Sequence, residues 1–177
     1  ATTPALGHEA QLWKMAYYES RLAKLQIKES ERPKIDPQFE EATEGEEVER
    51  KEKLKSKWAQ LEAVVGSESR LRLIGRDLLD HFDKRLAVMD GKGMVVVMSR
   101  RIAIALYREL ALLRPEWAVE EDGAGALKVV MTGSAADPPV YQPHVRNKQG
   151  MDNLAKRYRD PGDDFQLVIV RDMWLTG

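Results

Sequence analysis

Three short apolar runs, at residues 94–98, 127–131 and 166–170, constrain this chain more than any other feature. The first fits a strand buried on both faces, as in a parallel sheet, and the other two read as strands beside it. The segments between the runs read as helix. Ser99 is placed to cap a helix whose apolar stripe is Ile102, Leu106, Leu110 and Leu113, and Pro115 ends it. A loop containing Pro138, Pro139 and Pro143 leads to a short helix bearing Leu154 and Tyr158, and Pro161-Gly162 turns the chain into the last run. Strand, helix, strand, loop-helix, strand predicts an α/β fold with a parallel sheet and right-handed crossovers over residues 91–177.

Residues 38–90 follow a different grammar. Thr43 with Glu46 forms a capping-box pattern, and Leu54, Trp58, Leu61 and Val65 recur at helical spacing behind it. Gly66 breaks this helix, Ser67 is placed to cap the next, and Leu71, Ile74, Leu78, Phe82 and Leu86 form its stripe. The pair predicts a helical hairpin. Residues 1–37 read as a connector, with Pro33 and Pro37 marking its irregular part. Within it, residues 8–28 fit either a helix through Leu12, Met15, Leu22 and Leu25 or an extended run from Tyr17, and both readings stand.

All three apolar runs end in small or polar residues: Ser99-Arg100-Arg101, Thr132-Gly133-Ser134 and Arg171-Asp172. In a parallel sheet these ends share one edge, the carboxyl edge where open α/β folds bind ligands. Hydroxyls, arginines and N–H groups at helix starts suit an anion, and phosphate of a nucleotide or a nucleic-acid backbone is the expectation. Each residue also has a plainer use. Ser99 caps its helix, Arg100 and Arg101 read equally as solvated charges, Thr132-Gly133 as a turn, and Asp172 as a partner for its own loop.

The charge balance leaves this open. With 28 Lys plus Arg against 29 Asp plus Glu, nothing global marks a nucleic-acid binder. Residues 40–49 are acidic, while Arg146, Lys148, Lys156, Arg157 and Arg159 make a basic stretch able to serve phosphate. With no cysteine, a disulfide framework and thiolate metal sites are excluded. No apolar run approaches the ~18 residues of a membrane span, so a cytoplasmic protein without membrane contact is expected. His8, His81 and His144 are scattered, and no metal-ligand spacing stands out. Gly91-Lys92-Gly93 and Gly123-Ala124-Gly125 precede strands instead of following them, so neither is a phosphate-binding fingerprint.

Taken together, residues 93–102 (Gly-Met-Val-Val-Val-Met-Ser-Arg-Arg-Ile), 128–134 (Lys-Val-Val-Met-Thr-Gly-Ser) and 168–177 (Val-Ile-Val-Arg-Asp-Met-Trp-Leu-Thr-Gly) resemble the motor subunit, or R subunit, of type I restriction endonucleases. Residues 17–25 and 40–85 are similar to it too. The resemblance implies a partial RecA-like lobe, the second of a superfamily 2 helicase-type motor, preceded by a helical segment. Ser99 and Arg100 match helicase motif four, and Arg171 to Gly177 match motif five. It thereby implies Ser99, Arg100, Thr132, Gly133 and Arg171 on the DNA side, and Asp172, Thr176 and Gly177 in coupling to ATP.

The parent enzyme of that family translocates double-stranded DNA with ATP and Mg²⁺ and cuts it, working with methylase and specificity subunits. Its nuclease domain, its first motor lobe with the phosphate loop, and the arginines of motif six do not match anything in these residues. The expectation is therefore a piece that binds neither ATP nor Mg²⁺ alone, has no catalytic residue of its own, and grips DNA weakly. A sequence that stops on a polar loop at Gly177 also looks cut, and loose order or self-association is expected there. The rival readings are the motor lobe of another superfamily 2 helicase or remodeller, and a non-enzymatic α/β module that meets a protein partner through residues 40–49.

Overall fold

The computed structural model describes residues 57–59, 61–133 and 136–171. The Thr43–Glu46 capping pattern, Leu54, the ambiguous residues 8–28, the acidic stretch 40–49 and the residues from 172 to 177 lie outside them.

The predicted strands form, slightly shorter than the apolar runs: β1 (Gly93–Val96), β2 (Leu127–Val130) and β3 (Leu167–Val170). They make one parallel sheet in the order β1-β3-β2, with Val96 and Val130 both level with Val170. The helices α1 (Glu68–Leu86), α2 (Arg100–Leu113) and α3 (Lys148–Arg159) accompany them. From β1 the chain passes through α2 to β2 on the far side of β3, then returns through α3 to fill the middle position.

Side chains alternate across a strand, so each strand feeds two cores. Leu127, Val129, Met131, Leu167 and Ile169 join Ile102, Leu106 and Leu110 of α2 and Leu71 and Leu79 of α1. Val130, Val168 and Val170 face Leu154 of α3, closed off by Phe165. The Tyr158 ring meets Phe165 edge-on at 5.4 Å. The second core does not reach β1. Met94 and Val96 are 38 % and 63 % exposed, so the expectation of a strand buried on both faces fails for β1, while β2 and β3 are buried throughout. The reason is the strand order: β1 is an edge strand, and α3 lies over β2 and β3.

Local signals behave unevenly. Ser99 caps α2 as expected, its Oγ accepting from the Ile102 N–H at 3.2 Å, and the helix ends before Pro115. Asn147 caps α3 in the same way, its Oδ1 accepting from the Gly150 N–H at 2.8 Å. Ser67 has the extended backbone of a cap but makes no side-chain capping bond; its hydroxyl turns back to the Val64 carbonyl at 3.4 Å. In the helical residues before it, Leu61 is 51 % exposed while Glu62 and Ala63 are buried, so that helix is rotated from the expected stripe.

Candidate phosphate-facing rim

The three strand ends do adjoin. The Val97 N–H donates to the Val170 carbonyl at 2.9 Å, closing β1 against β3. Arg100 then ties the exit of β1 to that of β2. Its guanidinium donates to the Asp137 carboxylate at 2.8 Å and to the Thr132 carbonyl at 3.4 Å, and stacks 5.4 Å above the Tyr141 ring. Gly133 is where this loop demands a glycine, since a Cβ there would lie 2.7 Å from the Asp137 carboxylate and closer still to Val145. Met131 bridges in parallel to Val145, extending β2 by one residue toward the rim.

The expected site residues thus separate into two layers. Thr132 and Gly133 are exposed and Arg171 is half-buried. Ser99 and Arg100 lie beneath them, at 0 % and 7 % exposure. Both hydrogen-bonding roles of the Ser99 hydroxyl are occupied: it accepts from Ile102 and donates to the Glu62 carboxylate at 2.7 Å. Asp172, Thr176 and Gly177 fall outside the described residues.

The residues that sequence reasoning passed over are Glu62 and Asp137, and Arg101, read there as a strand-end or solvated charge, is a partner of the first. Glu62 is fully buried, and the same Oε1 that receives Ser99 also accepts from Arg101 Nε at 2.9 Å. The Arg101 fork continues to the backbone carbonyls of Glu62, at 3.1 Å, and Gly66. A Cβ on Gly66 would stand 2.5 Å from that guanidinium, so the glycine admits the arginine as well as ending the helix. The available signal was spacing. Glu62 lies four residues after Trp58 and four before Gly66, on one helical face.

Two of the five residues of the basic stretch, Arg146 and Arg157, turn inward. Arg146, with its side chain 8 % exposed, pairs with Asp122 at 2.6 Å and donates to the carbonyls of Val129 and His144. Arg157 pairs with Asp163 at 2.7 Å and holds the carbonyls of Asp122 and Ala124. Hydrogen bonding from Arg157 holds the Asp163 carboxyl below its ordinary range. These two arginines clamp the 119–125 loop onto the sheet edge, where Gly125 turns at φ +79°. Lys148, Lys156 and Arg159 stay exposed. Among the described residues no cluster of three or more His, Asp or Glu side chains could hold a metal ion, and no helix is long and apolar enough to cross a membrane.

Comparison with known proteins adds a family. The chain is 40 % identical over 164 residues, 91 % of its length, to a putative type I restriction enzyme endonuclease subunit of Methanocaldococcus jannaschii. The resemblance to the type I restriction endonuclease subunit holds. The HindI endonuclease subunit of Haemophilus influenzae is a second such relative, 47 % identical over 116 residues, or 66 % of the chain. The chain spans only 15 % and 11 % of the lengths of these two relatives, so it corresponds to a limited segment of such a subunit. No protein-family model and no solved structure matches the chain.

Proposed function

We propose that this segment is the second RecA-like motor lobe of a type I restriction enzyme endonuclease subunit, and that its rim follows the backbone of double-stranded DNA during ATP-driven translocation. What supports this reading is the convergence of three parallel strand ends on one rim, with Thr132, Gly133 and Arg171 at its surface. Backbone N–H groups, a hydroxyl and a guanidinium are the donors that phosphates accept from, and they read no base sequence. Ser99 and Arg100 act on the DNA from below. Ser99 fixes the first turn of α2, and Arg100 holds the 132–137 loop against the exit of β1.

ATP supplies the free energy of the motor when bound, with Mg²⁺ beside it. Among the described residues no cluster of His, Asp or Glu could hold Mg²⁺, and both groups are proposed to sit on other segments of the parent subunit. Asp172, Thr176 and Gly177 would couple this lobe to them. The first motor lobe and nuclease domain of the same subunit, and methylase and specificity subunits, complete the proposed assembly in the cytoplasm.

The test is a titration of labelled duplex DNA into the purified chain at low and high salt, beside an ATPase assay. Weak binding that fades with salt, a further loss in Arg171→Ala, and no ATP turnover are expected. A natively folded chain that ignores duplex DNA at low salt would support a protein-binding module instead. ATP turnover by the chain alone would overturn the placement of the nucleotide site elsewhere.

A further inference from the structure

The outer edge of β2 carries a cleft of about 360 Å³ that flanks the strand and takes no part in the rim. Its polar lining is Tyr107 and Arg108 of α2, Lys128 of β2, and Glu120, His144 and Arg146 from the neighbouring loops. Three cations therefore converge here, and one of them, Arg146, is matched by a carboxylate in contact, that of Asp122. Lys128 is 2 % exposed, and its ammonium donates to the carbonyls of Val119 and Glu121 at 2.5 and 2.7 Å. An ammonium has three N–H donors, so one is left over. Among the described residues Lys128 makes no salt bridge; burial lowers its pKa, with Arg146 and Arg157 adding to this and the Asp122 and Glu121 carboxylates opposing it. A buried cation with no carboxylate in contact is costly until an anion joins it. Arg108 is exposed and adds a second unmatched positive charge.

His144 reports the resulting field. Its ring packs edge-on against Tyr107 at 4.7 Å. Burial, then Arg146, Lys128 and Arg108, hold its pKa down at about 4. The ring is therefore neutral near pH 7 and offers one N–H. The single carboxylate in the lining is Glu120, an exposed residue.

We propose that this cleft binds a phosphate group, held by Arg108 and Lys128, with the Glu120 carboxylate opposing it. Two unmatched cations suit a dianion better than a carboxylate. The phosphate comes either from a small free molecule or from a nucleic-acid backbone. The inference does not depend on the motor reading, because the cleft shares no residue with Thr132, Gly133 or Arg171.

Histidine ring signals in NMR test it directly, since the chain has three histidines and His144→Gln assigns the relevant one. Inorganic phosphate is titrated at neutral pH in one arm, and a short duplex oligonucleotide in the other. A saturable shift of the His144 signal is expected, with its pKa rising from about 4 in saturating phosphate. Arg108→Ala should weaken binding about tenfold and Glu120→Ala should tighten it, opposite signs from two exposed positions. A response to phosphate assigns a small-molecule source, and a response to the duplex alone assigns a backbone source. No shift in either arm, or equal affinities in the unsubstituted chain and both variants, overturns the proposal. Failure here leaves the salt-dependent, Arg171-dependent DNA binding of the motor reading untouched.

Discussion

β1 and β2 begin alike. Each is a four-residue strand, each pairs in parallel with β3, and each comes from a mainly apolar run, broken in β2 by Lys128. β2 is buried throughout, whereas β1 alternates between half-buried and exposed residues. The difference lies in what flanks them. β2 has Arg146 donating to its own Val129 carbonyl, Lys128 gripping the carbonyls of Val119 and Glu121 beside it, Val145 bridging past its end, and α3 over one face. β1 has Val95 packed toward α1 and α2, while Met94 and Val96 meet solvent on the other face. Its exit is fixed differently, by the buried Glu62 carboxylate acting through Ser99 and Arg101. An apolar run thus specifies a strand, but neighbours decide whether that strand is interior.

The comparison breaks most readily at its two polar anchors. Glu62→Ala leaves the Arg101 guanidinium and the Ser99 hydroxyl without their acceptor, and Arg146→Ala leaves Asp122 and two carbonyls without their donor. Each is expected to destabilise by about 2 kcal/mol, less than for a fully buried pair, because the charge left behind, Arg101 or Asp122, is 35 % or 40 % exposed and water solvates it. Urea unfolding measures this, and losses under about 1 kcal/mol at both sites would show the anchors to be incidental. The paired truncations come next. Val129→Ala, fully buried in β2, should cost about 2 kcal/mol. Val96→Ala in β1, 63 % exposed, should change stability by less than about 0.5 kcal/mol. Equal costs would mean that the exposed face of β1 is covered in solution.

Ser99→Ala removes the cap of α2 and is expected to cost about 1 kcal/mol. Ser99→Thr keeps both the acceptor for the Ile102 N–H and the donor to Glu62, whereas Ser99→Asp keeps only the acceptor, so comparing the two separates capping from the bond to Glu62. A further effect belongs to pH. His144 titrates at about 4 in the folded chain against an ordinary 6.5. Between those values the unfolded chain holds the proton and the folded chain does not. This contribution is therefore complete above 6.5 and fades as pH falls toward 4. For a ring within reach of solvent it amounts to about 0.5–1 kcal/mol, and His144→Gln should flatten that part of the profile. Asp163, whose folded value is depressed below 3.8, contributes in a separate window that closes only at lower pH.

Much of the fold was legible because it is local. The three runs set the strands, helical spacing and Ser99 set α2, and the Leu154–Tyr158 spacing and Pro161-Gly162 bracketed α3 and the turn into β3. The rim was legible as a composition, since strand ends in a parallel sheet must share an edge. Its layering was not. Ser99 and Arg100 read as surface donors, yet Glu62, 37 positions before Ser99, and Asp137, 37 after Arg100, draw them inward. The basic stretch likewise read as a solvent-facing patch, while Arg146 and Arg157 reach back 24 and 35 residues to hold the 119–125 loop.

By itself the sequence determined the parallel α/β character of residues 91–171 and the likeness to type I restriction enzyme endonuclease subunits, because both rest on short-range pattern. The tertiary structure decided the strand order, the exposure of β1, and which charges point outward. Those depend on pairings between residues far apart in the chain, where a buried charge must find its partner whatever its local neighbours suggest.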